Sequence, residues 1–175
     1  MDDVLEFWLA DPARWFRKDP AFDAEIGARF GALHAAIEAG DHEAWRATPR
    51  GALAYVIALD QFARNMFRGT PRSFASDPRA LTAATASIAR GDDAHLTPPE
   101  RAFLYMPLMH SEDLADQDRC VALFEALGIA TNLTYAEAHR AVIRRFGRFP
   151  HRNAILGRAS TPEEIAFLAE PGSSF

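Results

Sequence analysis

Apolar side chains recur at spacings of three and four along nearly the whole chain, and no stretch of useful length alternates apolar with polar. That period marks one face of an α-helix and argues against a sheet protein. Phe22, Ile26, Phe30, Leu33 and Ile37 form the clearest stripe, closed by Gly40. Short helices are expected near Val4 to Leu9 and through Trp45. Pro49 and Gly51 open a longer helix through Leu53, Val56, Ile57 and Phe67, which stops at Gly69-Thr70-Pro71. Asp77-Pro78 reads as an N-cap with proline at the first helical position, starting a helix that runs to Gly91. Thr97-Pro98-Pro99-Glu100 has the spacing of a capping box; its helix reaches about Met109, with Pro107 expected to kink or end it. Ser111 to Leu127 reads as a helix capped by Ser111 and stopped by Gly128, and Thr134 to Phe146 as one stopped by Gly147. Thr161-Pro162-Glu163-Glu164 signals one more start. Turns this short imply antiparallel neighbours, so the expected fold is all-α, built from helical hairpins.

The chain of 175 residues suits a single domain, residues 1–175. A chain of this size buries roughly two thirds of its unfolded surface and needs no staple. Thirteen Phe point to an aromatic-rich core, and Trp8, Trp15, Phe16 and Trp45 are expected as core and helix-contact residues. The single cysteine, Cys120, excludes an internal disulfide and sits among Val121, Leu123 and Phe124, as an inert buried thiol would. The start, Met1-Asp2-Asp3, is acidic where a signal peptide is basic, and no apolar run approaches the roughly 20 residues needed to cross a bilayer. A cytoplasmic protein without membrane partners is expected. A net charge of −5 argues against nucleic acid as a partner.

The chemistry concentrates in three stretches. In the first, Asp60, Arg64 and Arg68 are spaced i, i+4, i+8 and Asn65 lies between them, downstream of a segment that is apolar almost all round. A charge there is partly buried and must be paired. An Asp60–Arg64 brace, with Arg68 at the helix C-terminus, explains it without function. In the second, His110-Ser111-Glu112-Asp113, the cap and first-turn reading accounts for all but His110. His34, His42 and His95 read as exposed or helix-end residues. The third is the most informative. From Ala138 to Pro162 there is no acidic residue, yet Arg140, Arg144, Arg145, Arg148, Arg152 and Arg158 occur with His139 and His151. So many cations need a nearby negative charge. That charge is either internal (Asp60, Glu112, Asp113, Asp116) or an anionic ligand held by arginine forks. No dinucleotide or phosphate-loop glycine pattern occurs, and no metal-ligand spacing such as His-Glu-x-x-His, so neither a cofactor nor a metal is expected.

Several strings carry a family resemblance: Asp60-Gln61-Phe62-Ala63-Arg64-Asn65 with Phe67-Arg68-Gly69, Phe74-x-x-Asp77, His110-Ser111-Glu112-Asp113 with Gln117, and Phe146-Gly147-Arg148-Phe149-Pro150-His151-Arg152-Asn153. With Phe7-Trp8, Trp15-Phe16 and the terminal Pro171-Gly172-Ser173-Ser174-Phe175, they resemble the bacterial domain-of-unknown-function family 924 over essentially the whole chain. The resemblance implies an all-α, tetratricopeptide-like array of helical hairpins and no particular activity. One departure is Ala63, where the family string has Pro; it should make that helix more regular.

The leading expectation is a site for an anion or small molecule where the three stretches converge. Asp60, Arg64, Asn65, Arg68, Arg148, Arg152, Asn153 and Arg158 would bind. His110 or His151 would carry a proton, with Asp60 or Glu112 orienting it. The competing expectation is an interaction module whose helical groove clamps an acidic peptide or a terminal carboxylate. A third is a buried polar network that specifies the fold.

Overall fold

The computed structural model describes residues 1–173; Ser174 and Phe175 of the family-like tail lie outside the described residues. Within them the secondary structure is helical, without a strand. α1 (Asp2–Leu9) buries Val4, Leu5 and Trp8. α2 (Pro20–Ala39) starts where the Asp19 carboxylate accepts from the Ala21 and Phe22 N–H groups, at 3.0 and 3.1 Å. It buries Phe22, Ile26, Phe30 and Ile37 on one face and ends at Gly40. His34 lies on that face, 1% exposed, contrary to its expected surface position. The i+4 spacing from Phe30 places it there, and polarity does not override the register.

α3 is the central helix. It begins as Pro49–Ile57, passes through a π-helical turn at Ala58–Phe62 and continues as Ala63–Met66. Every residue from Gly51 to Ala63 is buried, against α1, α2 and the two helices that follow. The expected regularity around Ala63 is not found, because the π turn comes just before it. A π turn is one residue wider than an α turn and loosens the backbone ladder. Side chains take up the carbonyls of that turn. Ser76 Oγ donates to Leu59 O at 2.7 Å, Arg64 Nη1 to Asp60 O at 2.9 Å, and Asn65 Nδ2 to Gln61 O at 2.8 Å.

A short α4 (Arg72–Ala75) leads into α5 (Asp77–Ala89), and then come α6 (Pro98–Met109), α7 (Leu114–Leu127), α8 (Ala130–Phe146) and α9 (Pro162–Leu168). At the start of α6 the Glu100 carboxylate accepts from the Thr97 N–H and hydroxyl, both at 2.8 Å, as the capping-box spacing predicts. Pro107 does not stop α6, which continues to Met109. α7 begins later than expected. Asp113, not Ser111, is its cap, accepting from the Ala115 and Asp116 N–H groups, and Ser111 Oγ donates to Asp116. Glu112 therefore lies outside the helix. Likewise Asp77 does not cap α5: it is the first helical residue and Ser76 precedes it. α8 starts four residues early, at Ala130, and ends at Gly147, whose φ of 67° is the left-handed turn that sends the chain back across the helices.

α7 folds back on both α6 and α8, as hairpins with short connections must. The core is aromatic: Trp8 meets Phe22, Phe62 and Phe103 with ring centroids 5.6–6.0 Å apart. Trp15 joins it edge-on to Phe103 at 4.7 Å. Phe16 is 73% exposed, so it is not the core residue expected. Cys120 is buried, and burial pushes its thiol up to about 12, so it is unreactive. No described helix is long and apolar enough to cross a membrane.

Gly51 marks the tightest approach. A Cβ there would stand 2.1 Å from Trp45 O and 2.7 Å from Thr48 Oγ1. Helix propensity alone favours Ala by about 1 kcal/mol, but the obstacle is backbone and cannot rotate away. Gly51→Ala is therefore expected to destabilise the protein by about 1–3 kcal/mol in urea unfolding. A stabilised variant would show that the 43–51 turn yields.

Candidate functional site

The π turn places Asp60 where the chain can least accommodate a bare charge, at zero exposure. Its Oδ1 is 2.7 Å from His110 Nδ1 and 3.0 Å from Arg64 Nη1, and its Oδ2 accepts from Gln61 Nε2 at 2.6 Å. Burial opposes ionisation, but Arg64 and His110 outweigh it and hold the Asp60 carboxyl well below the usual carboxylate range. An ionised carboxylate only accepts. The His110 Nδ1 must then carry the proton, and Nε2 is the basic nitrogen of the neutral ring. Burial first, then Arg64, lowers the His110 pKa, and Asp60 offsets this only in part. The imidazole is neutral at pH 7.

His110 sits at the C-terminal end of α6. Gln117, fully buried on α7, fixes that end by donating to Met109 O at 2.7 Å and Ser111 O at 2.8 Å. Beside His110 opens a pocket of about 340 Å³. Pro71, Phe74, Ala75, Pro78, Leu81, Pro107 and Leu156 give it apolar walls, and its polar lining is Asp77, His110, Ser111, Glu112 and Arg152. Apolar walls with few convergent polar groups are the usual make-up of a small-molecule site.

Around the pocket runs a chain of forks. Arg64 holds Asp77 bidentately at 2.8 and 2.9 Å. Arg152 reaches the same carboxylate at 3.4 Å and donates to His110 O at 3.0 Å, its guanidinium carbon 4.7 and 4.5 Å from the ring centroids of Phe74 and Phe149. Glu112 accepts two bonds from Arg158, at 2.7 and 3.0 Å, and one from the Phe149 N–H at 2.7 Å. Burial works against the Glu112 charge, but these bonds keep its carboxyl below its ordinary value. Behind them lie two further imidazoles. His139 is 6.4 Å from the His110 ring and donates its Nδ1–H to Tyr135 O, 2.7 Å away; His151 is 5.6 Å from the Phe149 ring. Burial lowers His139 to about 3 and His151 to about 4.

The three stretches thus meet only in part. His110, Glu112 and Arg152 line the pocket, Asp60 holds His110, and Arg64 and Arg158 stand behind carboxylates at its edge. The others turn elsewhere. Arg68 lies past the end of α3 and forks onto Asp23 of α2 at 2.8 and 2.9 Å. Asn65 braces the backbone of α3. Arg148 forks onto Glu164 of α9 at 2.7 and 2.8 Å, and Asn153 links Glu164 to Arg158. His151 is not among the pocket-lining residues. Of the carboxylates expected to balance the basic loop, Asp113 and Asp116 do not serve; Asp77 and Glu164, which were not expected to, hold Arg152 and Arg148. Asp77 is the main residue that sequence reasoning missed, because a carboxylate before proline has a local explanation as a cap. Phe74, three residues upstream, gave the only hint, by belonging to the same family string.

A second depression, of about 320 Å³, lies between α1 and α2, lined by Glu6, Asp11, Arg14 and Arg29 among others. Its arginines stack on Phe22 and Phe7 and share Glu25, and it has no histidine. Acid–base chemistry at neutral pH favours the His110 pocket. Among the described residues no group of three or more His, Cys, Asp or Glu is placed to hold a metal ion.

A comparison with curated proteins gives no match. Among solved structures, the chain is similar to the Protein of Unknown Function ATU0120 from Agrobacterium tumefaciens, at 43% identity over 96% of each chain, with a TM-score of 0.92. Residues 4–172 match the family described as "Bacterial protein of unknown function (DUF924)". The span of that match, together with the all-helical fold, places the chain in the DUF924 family.

Proposed function

We propose that the protein binds a small organic molecule in the pocket between α5, the end of α6 and the 147–160 segment, and that His110 moves a proton to or from it. The observation that carries this reading is the 2.7 Å bond from His110 to a fully buried Asp60 at the edge of an apolar-walled pocket. Asp60 fixes the tautomer, and the neutral ring presents Nε2 as a base at pH 7. A tetratricopeptide-like groove for an acidic peptide is the competing arrangement. It is the weaker one, because Arg68, Arg148 and Arg158 already hold internal carboxylates bidentately.

The first test is a thermal-shift screen against small carboxylates, phosphorylated metabolites and neutral amides or esters, with a turnover assay on each hit. His110→Gln should keep the ligand and lose about 10²–10⁴-fold of any turnover. Undiminished turnover would sink the proton-carrier role. Asp60→Ala is the poorer probe: it leaves a hole and makes Arg64 and Arg152 share Asp77 alone, and is expected to cost about 3–5 kcal/mol of stability. Loss of less than about 1 kcal/mol in urea unfolding would show that the carboxylate is not structurally required.

Acid stability follows from the same imidazoles. His139 and His151 are depressed to about 3 and about 4 when folded, so between pH 6.5 and those values the unfolded chain binds the extra protons. Stability is full above pH 6.5 and falls as pH drops. The slope is on the order of 1.4 kcal/mol per pH unit for each histidine. His139→Gln should reduce the slope of the stability–pH profile between pH 6 and pH 4, while the depressed His34, His110 and His151 keep the rest of it. An unchanged slope would mean that His139 titrates normally in the folded protein.

A further inference from the structure

The arginines around the pocket differ in how well they are paired. Arg64, Arg68, Arg148 and Arg158 each hold one carboxylate with two N–H groups. Their side chains are 19%, 39%, 29% and 23% exposed. Arg152 is more buried than any of them, at 8%, yet it has no fork of its own. Its contact with Asp77 is single, 3.4 Å long, and made to a carboxylate that Arg64 already grips. Its other bond goes to a neutral carbonyl, His110 O. Among the described residues its Nε has no partner at all. A guanidinium carries five N–H donors, so most of this one's capacity is unspent.

That imbalance is costly as it stands. A buried cation needs a counter-charge and hydrogen bonds, and an unmade bond to a buried donor costs about 1–3 kcal/mol. The Phe74 and Phe149 rings lie 4.7 and 4.5 Å from the guanidinium carbon and accept none of its N–H groups, and the unpartnered Nε is closed to solvent, so a ligand reaches it only as the fork turns toward the pocket. Arg152 lines the pocket whose remaining wall is apolar.

We infer that the ligand is a carboxylate on an apolar body: its two oxygens complete the fork that Arg152 lacks, and its hydrocarbon part fills the space between Phe74, Leu81, Pro107 and Leu156. The inference rests on the proposed ligand pocket and names the chemistry it selects. A carboxylate suits it better than a phosphate. The lining already contains Asp77 and Glu112, and a dianion would meet two like charges where a monoanion needs only one fork. The burial that leaves Arg152 short of partners also lowers its pKa to about 10, still far above neutrality, so the fork stays charged.

The test compares phenylacetate and hexanoate with phenylacetamide and phenyl phosphate on the wild-type protein by calorimetry. The Leu81 and Leu156 methyls and the Arg152 Nε–H are followed by NMR. The expected result is a carboxylate affinity about tenfold or more above that of the amide, with the Arg152 Nε–H signal moving only with the carboxylates. Arg152→Lys should abolish that preference. Leu156→Trp, which narrows the mouth without touching the fork, should weaken phenylacetate by a similar factor. A peptide ending in a free apolar residue, against its amidated form, tells a chain terminus from a free acid as the source of the carboxylate. Equal binding of acid and amide, or tighter binding of phenyl phosphate, overturns the inference and leaves the pocket standing. Silence of both leucine methyls with every probe overturns the pocket and the inference together.

Discussion

The structure is organised around one buried carboxylate. Asp60 has no contact with water, so every oxygen lone pair and the charge itself must be answered by protein. Gln61, Arg64 and His110 supply that answer, and each imposes a condition further out. Arg64 carries a full charge into the same region and is balanced by Asp77, which fixes the start of α5 against α3. His110 can reach Asp60 only if α6 ends where it does, and Gln117 of α7 secures that end. The π turn is part of the same requirement. It seats Asp60 at full burial, and side chains rather than water take the carbonyls of the widened turn.

Counted by charge the region is balanced, but counted by hydrogen bonds it is not, since Arg152 has only a share of Asp77. Asp60, Asp77 and Glu112 face Arg64, Arg152 and Arg158, and the imidazoles of His110, His139 and His151 are neutral because burial depresses all three. Such a network contributes little net stability compared with an apolar core of the same volume, while removing one member is expensive. Its effect is to fix geometry. The 147–160 segment buries few large apolar groups, chiefly Phe149, and is tied down mainly through Glu112, Asp77 and Glu164. The same bonds that hold this segment in place also shape the pocket wall it provides.

How much of this could be read from the sequence depends on the range of the interaction. The stripe of α2, the Thr97–Glu100 box and the stops at Gly40, Gly128 and Gly147 are set by neighbours within a turn, and they were legible. The failures share a cause. Ser111 and Asp77 both have sound local readings as caps, but Asp113 caps more effectively and Arg64, thirteen residues away, claims Asp77. Arg68 and Arg148 stood in the right strings, yet they forked onto Asp23 and Glu164, partners that only the tertiary fold brings near. His34 was misplaced because its polarity was weighed above its register. The convergence of Asp60 with His110 was within reach, since an acidic group inside an apolar helix must find partners from another element. The identity of that partner was not encoded in spacing.

The uneven pairing of the arginines distinguishes the proposed binding site from a purely structural network. A network that served only to specify the fold would gain by completing every fork, since each unmade bond at a buried donor costs free energy with no return in geometry. Arg64, Arg68, Arg148 and Arg158, each forked onto one carboxylate, obey that expectation. Arg152 departs from it, and together with His110 it lines the pocket whose remaining wall is apolar. An incomplete fork, a neutral base and an apolar cavity are each unremarkable alone. Adjacent to one another, they are what the proposed reading joins: a ligand that would supply the missing partner of Arg152 and meet the neutral His110 beside it.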